Sequence, residues 1–233
     1  HGQKVLVLER HYTGGGFTHV FTRKGYEWDV GLHYIGEVHR PNSMLRRLFD
    51  YVSDGNLAWE DMGEVYDRIR FGDKEYPFKK GDEGFKNELK KHFPDDAEAI
   101  DNYVQLVREV VHAARGFFME KALPPMMGAV AGPFMRRKLM KYAKKTTLEA
   151  LSELTDNKEL IAVLCGQWGD YGLPPAQSSF AMHCMVVRHY FGGGSYPIGG
   201  SGAILETISP VIQASGGLVV TNADVAQINI ENN

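Results

Sequence analysis

Glu9 closes a run of four aliphatic residues, Val5-Leu6-Val7-Leu8, and is followed by Arg10 and then by three consecutive glycines, Gly14-Gly15-Gly16. A carboxylate at the end of an apolar strand can accept two hydrogen bonds at once, which suits the vicinal hydroxyls of a ribose. Glycines just behind such a strand let the backbone come close to a ligand and aim N–H groups at anionic oxygens. Each feature also has a plainer explanation: a surface glutamate at a strand end, and a turn. The G-x-G-x-x-G loop that precedes such an acid by about 20 residues in a dinucleotide-binding unit is not in the sequence.

Other chemistries find less support. His11, His19, His33, His39, His183 and His189 show no HExxH or short paired spacing, and neither Cys165 nor Cys184 joins them, so no zinc site is expected. His183 and His189 lie among Met182, Met185, Val186 and Val187, where packing or capping explains them. The two cysteines are expected to be reduced thiols that pack as small hydrophobes. Residues 123–135 form an apolar, proline-bearing run, followed by Arg136, Arg137, Lys138, Lys141, Lys144 and Lys145. An apolar segment beside a basic face can anchor at a membrane surface. A buried loop beside a solvated basic helix would have the same composition.

These residues need elements to hold them. Lys4 to Glu9 predicts a strand covered on both faces, as in a parallel sheet. A hairpin follows, with Phe17–Phe21 and residues 26–36 around a Lys24-Gly25 turn. Asn42 or Ser43 caps a helix to about Tyr51. Val65–Phe71 and Glu75–Phe78 form a second hairpin through Gly72-Asp73. Helices are expected at 83–92, 96–119, 134–144, 147–155, 157–168, 175–191 and 201–214, then strands at 218–221 and 224–230. The order predicts an α/β core interrupted by a mostly helical region.

The chain has 233 residues, 43% of them hydrophobic and 24% charged, with a net charge of −3. That composition excludes a disordered chain and a multi-span membrane protein. The charge gives no global field for nucleic acid, and no nucleic-acid partner is expected. The ends, His1-Gly2-Gln3-Lys4 entering a strand and Glu231-Asn232-Asn233 leaving one, suggest a piece of a longer protein.

Together, Val7-Leu8-Glu9-Arg10, Gly15-Gly16 and Tyr26-Glu27-Trp28-Asp29-Val30-Gly31 resemble FAD-dependent desaturases, isomerases and saturases of the phytoene dehydrogenase type. Asp29–Gly36, Ser179–His183 and Gly193–Gly200 are most similar to the retinol-saturase-like branch. The resemblance implies a doubly wound FAD-binding domain, residues 1–62 and 196–233, interrupted at 63–195 by a mostly helical substrate domain with a small antiparallel sheet. It implies that Glu9 holds the adenosine ribose, that Arg10, Gly15 and Gly16 lie along the cofactor, and that Gly31 approaches the flavin. Val225 would read the adenine edge with its main chain, and His33 and Tyr34 would lie near the flavin or the substrate. Phe17 stands where many relatives carry Arg.

The implied activity is an FAD-dependent oxidoreductase acting on C=C bonds of a long apolar isoprenoid by hydride transfer, with NAD(P)H as a candidate electron donor. Such an enzyme would sit peripherally on a membrane, at its cytoplasmic side or on an endomembrane. Alternatives are a carotenoid cis–trans isomerase, an amine-oxidase-type flavoenzyme, and a flavin-less lipid-binding protein.

Overall fold

The computed structural model describes residues 3–32 and 34–230. In chain order the first elements are β1 (Leu6–Leu8), β2 (Val20–Arg23), β3 (Tyr26–Asp29), β4 (Ile35–Gly36), α1 (Met44–Val52) and β5 (Trp59–Asp61). Then come β6 (Val65–Phe71), β7 (Lys74–Lys79), α2 (Asp82–His92), α3 (Ala97–Ala122), α4 (Pro125–Ala143), α5 (Thr147–Ser152), α6 (Lys158–Leu164) and α7 (Phe180–Tyr190). The last are β8 (Gly194–Pro197), α8 (Ala203–Ala214) and β9 (Leu218–Val220). The chain divides into two compact units, His1–Met62 with Gly194–Asn233, and Gly63–Gly193.

The first unit is built from both ends of the chain. β1 and β9 pair in parallel, Leu6 opposite Leu218 and Leu8 opposite Val220. β2 and β3 form the expected hairpin, and both turn residues, Lys24 and Gly25, take positive φ (53° and 79°), the pattern of a tight hairpin turn. β8 runs antiparallel between β4 and β5, and the Met62 N–H donates to the Gly194 carbonyl at 3.0 Å. Leu57, Ala203 and Ile204 form a small core with Leu32, Phe49, Trp59 and Ile208 packed against it. Ser43 caps α1 by accepting from the Arg46 N–H at 3.1 Å.

The second unit holds a large core. β6 and β7 form a hairpin through Gly72-Asp73. Tyr66, Tyr76 and Phe78 from this hairpin are buried, as are Phe85, Leu89, Ile100, Tyr103, Val107, Phe180 and Phe191. Ile100, Val104, Val107 and Val110 recur along α3 at intervals of three and four, so one face of the helix enters the core. α3 and α4 form a closely packed antiparallel hairpin: a Cβ at Gly116 would lie 2.6 Å from the Met135 carbonyl, and one at Gly132 would lie 2.7 Å from Glu120 Oε1. A capping box at Thr146 and Glu149 starts α5. Cys165 and Cys184 are buried free thiols.

Several expected elements are revised. β1 is parallel, but it is not covered: Leu6 is 63% and Leu8 48% exposed, because the described residues pair it with a single strand. Residues 224–230 form no strand; their alternating pattern has strand propensity, but no neighbouring strand among the described residues supplies a ladder. α4 begins at Pro125, nine residues before the expected start, with Pro124 at its N-cap, Pro125 in the first turn and Pro133 within it. α7 begins at Phe180, because 174–178 turn on the Pro174 carbonyl, which accepts from Gln177 and Ser178. β8, not expected from the sequence, is held between two partner strands.

His183 is fully buried, with Nε2 2.9 Å from the Tyr103 hydroxyl and Nδ1 3.1 Å from the Tyr171 hydroxyl. A neutral imidazole has one N–H and one lone pair, so one tyrosine donates to the ring and the other accepts from it. Burial lowers the His183 pKa from 6.5 to about 4. Between these values the unfolded chain binds a proton that the folded chain does not. The resulting stability is complete above pH 6.5 and is lost as pH falls toward 4. Urea unfolding is therefore expected to show a loss of about 2 kcal/mol on going from about pH 7 to about pH 5, and His183→Gln should flatten that slope.

Candidate functional site

The site is assembled at the carboxyl end of β1, the position where open parallel sheets bind ligands. The Glu9 N–H donates to the Val220 carbonyl at 2.9 Å, and the Glu9 carbonyl accepts from the Ala223 N–H at 2.9 Å. The residue is thereby fixed where β1 and β9 end together. Its carboxylate Oε1 accepts from the His11 N–H at 2.8 Å. Oε2 has no hydrogen-bond partner among the described residues, and the group is half-exposed. Arg10 beside it is exposed.

The chain then turns back on the glycines. Gly15 (φ 101°) and Gly16 (φ 56°) lie in the left-handed region, which favours glycine, and lead into a single 3₁₀ turn, Gly16–Thr18. The Gly15 carbonyl accepts from both the Thr18 N–H (3.0 Å) and the Thr18 hydroxyl (2.8 Å). His19 Nδ1 lies 2.5 Å from the Gly16 carbonyl. Gly14 packs differently: a Cβ there would touch Leu205 of α8 and Val219 of β9 at 3.4 Å. Nothing lies within 4 Å of a Cβ built on Gly16, so its backbone is open to approach.

This turn is tied to the end of β3. The Gly31 N–H donates to the Phe17 carbonyl at 3.0 Å, and the Val30 N–H to the His19 carbonyl at 3.3 Å. A Cβ at Gly31 would sit 2.7 Å from Phe17 Cβ, so the crossing requires glycine. Asp29 is pinned from far along the chain: its carboxylate accepts from the Ser201 hydroxyl (2.5 Å), the Ser201 N–H (3.2 Å) and the Tyr196 hydroxyl. Burial pushes the Asp29 carboxyl up, but these bonds outweigh it and hold it below its ordinary value. Burial first, and then the Asp29 contact, push Tyr196 up to about 12.

Glu9, Arg10 and Gly16 line one cleft of about 320 Å³, together with His11, Thr13, Phe17, His19 and Val30. Gly15 shapes the turn behind it, and Gly31 lets the turn seat. Tyr34 lies elsewhere in the unit, against Gly194 and Met62 at the β4–β8–β5 sheet. His33 is outside the described residues. Val225 is half exposed in an irregular segment and does not line the cleft. The contributions of Phe17, His19 and Val30 to the cleft and of Tyr196 and Ser201 behind Asp29 were not read from spacing. The one signal for Tyr196 was its place in the Gly193–Gly200 block.

The fold is shared with an oxidoreductase from Methanosarcina mazei (TM-score 0.59, 17% identity, 98% of this chain and 48% of that chain). It is also similar to a Rab GDI from Plasmodium falciparum (TM-score 0.51, 16% identity, 99% of this chain and 55% of that chain). No family model matches. By sequence the chain is a relative of proteins named all-trans-retinol 13,14-reductase: 38% identical to one from Danio rerio over 97% of this chain, and 35% identical to one from Homo sapiens over 99%. It spans 39% of the length of each. A chloroplastic prolycopene isomerase from Daucus carota is 22% identical over 99% of this chain and 38% of its own length. The resemblance carried by Asp29–Gly36 and the other blocks therefore holds over nearly the whole sequence.

Two substitutions probe this architecture. Gly31→Ala forces a methyl group onto Phe17 and is expected to cost about 1–3 kcal/mol. Asp29→Asn puts an NH₂ donor against the Tyr196 or Ser201 donors, at a further cost of about 1–3 kcal/mol. Both losses should appear as lower urea midpoints; wild-type midpoints would contradict the assigned contacts.

Proposed function

We propose that the chain is the core of an FAD-dependent oxidoreductase acting on carbon–carbon double bonds of a long apolar isoprenoid. The observation that carries this reading is the cleft at the end of β1, with Glu9, Arg10 and Gly16 together on its wall, in a relative of retinol 13,14-reductases. The residues fit a dinucleotide. Glu9 offers a carboxylate oxygen to ribose hydroxyls, Arg10 a cation to phosphate, and Gly16 a backbone with no side chain in the way. Bound flavin would supply hydride chemistry at an alkene, with NAD(P)H as a candidate donor.

In this reading residues 1–62 and 196–233 form the cofactor part of a doubly wound domain, and 63–195 form the substrate part. Gly15 and Gly31 set the turn that faces the cofactor. Val225 would meet the adenine with its main chain, and His33 and Tyr34 would orient the flavin or the substrate end. Glu9→Ala removes a charged acceptor worth about 1.5–3 kcal/mol, so FAD affinity should fall at least about tenfold. Flavin absorbance of the purified variant measures this, and unchanged occupancy would remove Glu9 from the site.

The reaction itself is tested anaerobically. Retinol or a carotene added to the reduced flavoprotein should reoxidise it and change in chromatographic retention. Isomerisation without reoxidation would favour the second reading, a carotenoid isomerase, which the similarity to prolycopene isomerases supports. Absence of flavin would favour a flavin-less lipid-binding protein.

Such a substrate resides in membranes, and we place the α3–α4 hairpin at the membrane surface. Phe118, Met119, Met126, Met127, Val130 and Phe134 stand exposed around its tip. Among the described residues no helix is long and apolar enough to cross a membrane, so contact here would be peripheral.

A further inference from the structure

The cations of the second unit fall into two sets. Along the β6–β7 hairpin and α2 they are matched: Arg68 and Arg70 with Glu75, Lys79 and Lys91 with Glu88, Lys86 and Lys90 with Asp101. On the facing sides of α3 and α4, three cations are not. Arg115 of α3 and Lys138 of α4 have no carboxylate partner among the described residues, and Lys141 makes only a contact 5.4 Å above the Tyr142 ring. These three cations border a groove of about 790 Å³ with Val111, Ala113 and Tyr142 as apolar lining. Arg108 and Arg188 also reach it, but Arg108 is neutralised by Asp82, and Glu109 is the carboxylate in the wall.

Along α3 and α4 the groove adjoins the exposed Phe118 and Phe134. Arg115 precedes Phe118 by three residues and Lys138 follows Phe134 by four, which places the charges about 5–6 Å behind the apolar side chains along each helix. Interfacial helices sink their apolar groups about 5–10 Å into the boundary between headgroups and acyl chains. Cations one turn along the same helix face lie next to such groups, within reach of headgroup phosphates.

We propose that this groove is a phosphate site that holds the headgroup of an anionic phospholipid. The inference rests on the reading that the hairpin tip meets a membrane. Lipid, rather than soluble phosphate, is favoured by the continuity of the groove with the exposed Phe118 and Phe134 and by its apolar lining, which suits the glycerol end of the acyl chains.

The test is flotation of the flavoprotein with vesicles of phosphatidylcholine alone or doped with phosphatidate. The wild type should partition roughly tenfold or more in favour of the doped vesicles. Arg115→Gln with Lys138→Gln should abolish that preference while leaving binding to phosphatidylcholine and the thermal midpoint unchanged. Arg137→Gln with Lys144→Gln removes equal charge from exposed residues outside the groove and should leave the preference intact. A groove variant that keeps its preference, or a control that loses as much, would overturn the proposal while leaving the tip in place. If Phe134→Ser with Met126→Ser floats as well as wild type, or the wild type floats with neither vesicle, the membrane reading fails first. Saturable calorimetric binding of glycerol 3-phosphate without preference for doped vesicles would mean a soluble phosphate ligand and would overturn the lipid assignment.

Discussion

Asp29 accepts three hydrogen bonds from residues far along the chain, and the geometry of the candidate site depends on that anchorage. The first unit is made of two stretches separated by the whole second unit, so no short loop holds them together. Instead Ser201 and Tyr196 fasten the end of β3, while Leu6 to Leu8 pair with Leu218 to Val220. With Asp29 fixed, the next two residues cross the glycine turn, where Gly31 seats Phe17 and Val30 binds His19. The wall of the cleft follows from that crossing. A carboxylate suits the task because it accepts several donors at once and, in a half-buried setting, favours being ionised when they are present.

Local signals were legible wherever the chain makes its own partner. Ser43 before an apolar-periodic segment, the Gly72-Asp73 turn, and the valines of α3 each prescribe a structure within a few residues. Contacts remote in sequence were not legible. The strand at Gly194–Pro197 contradicts its own composition, holding glycine and proline in an extended ladder because β4 and β5 flank it. Residues 224–230 fail in the opposite sense, with the pattern of a strand and no strand to pair with among the described residues. The helix expected from residue 134 begins instead at Pro125, since proline in the first turn costs nothing: the N–H it lacks has no helical acceptor there.

For the candidate site, the division is similar. Glu9, Arg10 and Gly16 are close in sequence, and a strand followed by a tight turn brings them to one cleft. The supports of Asp29 come from 167 and 172 residues away, a separation at which residue types alone give no pairing. Tyr34, expected near the flavin or the substrate, lies beside Gly194 and is not among the residues that line this cleft.

β5 and β8 are neighbouring antiparallel strands, and Met62 and Gly194 at their facing ends share a backbone hydrogen bond. Residues 63–193 thus stand where a hairpin loop would stand. Loop-closure entropy grows only with the logarithm of length, so changes in the size of this insertion weigh little on the scaffold that carries it. The arrangement leaves the inserted region free to diverge in size and surface while the strands that frame the cleft retain their register.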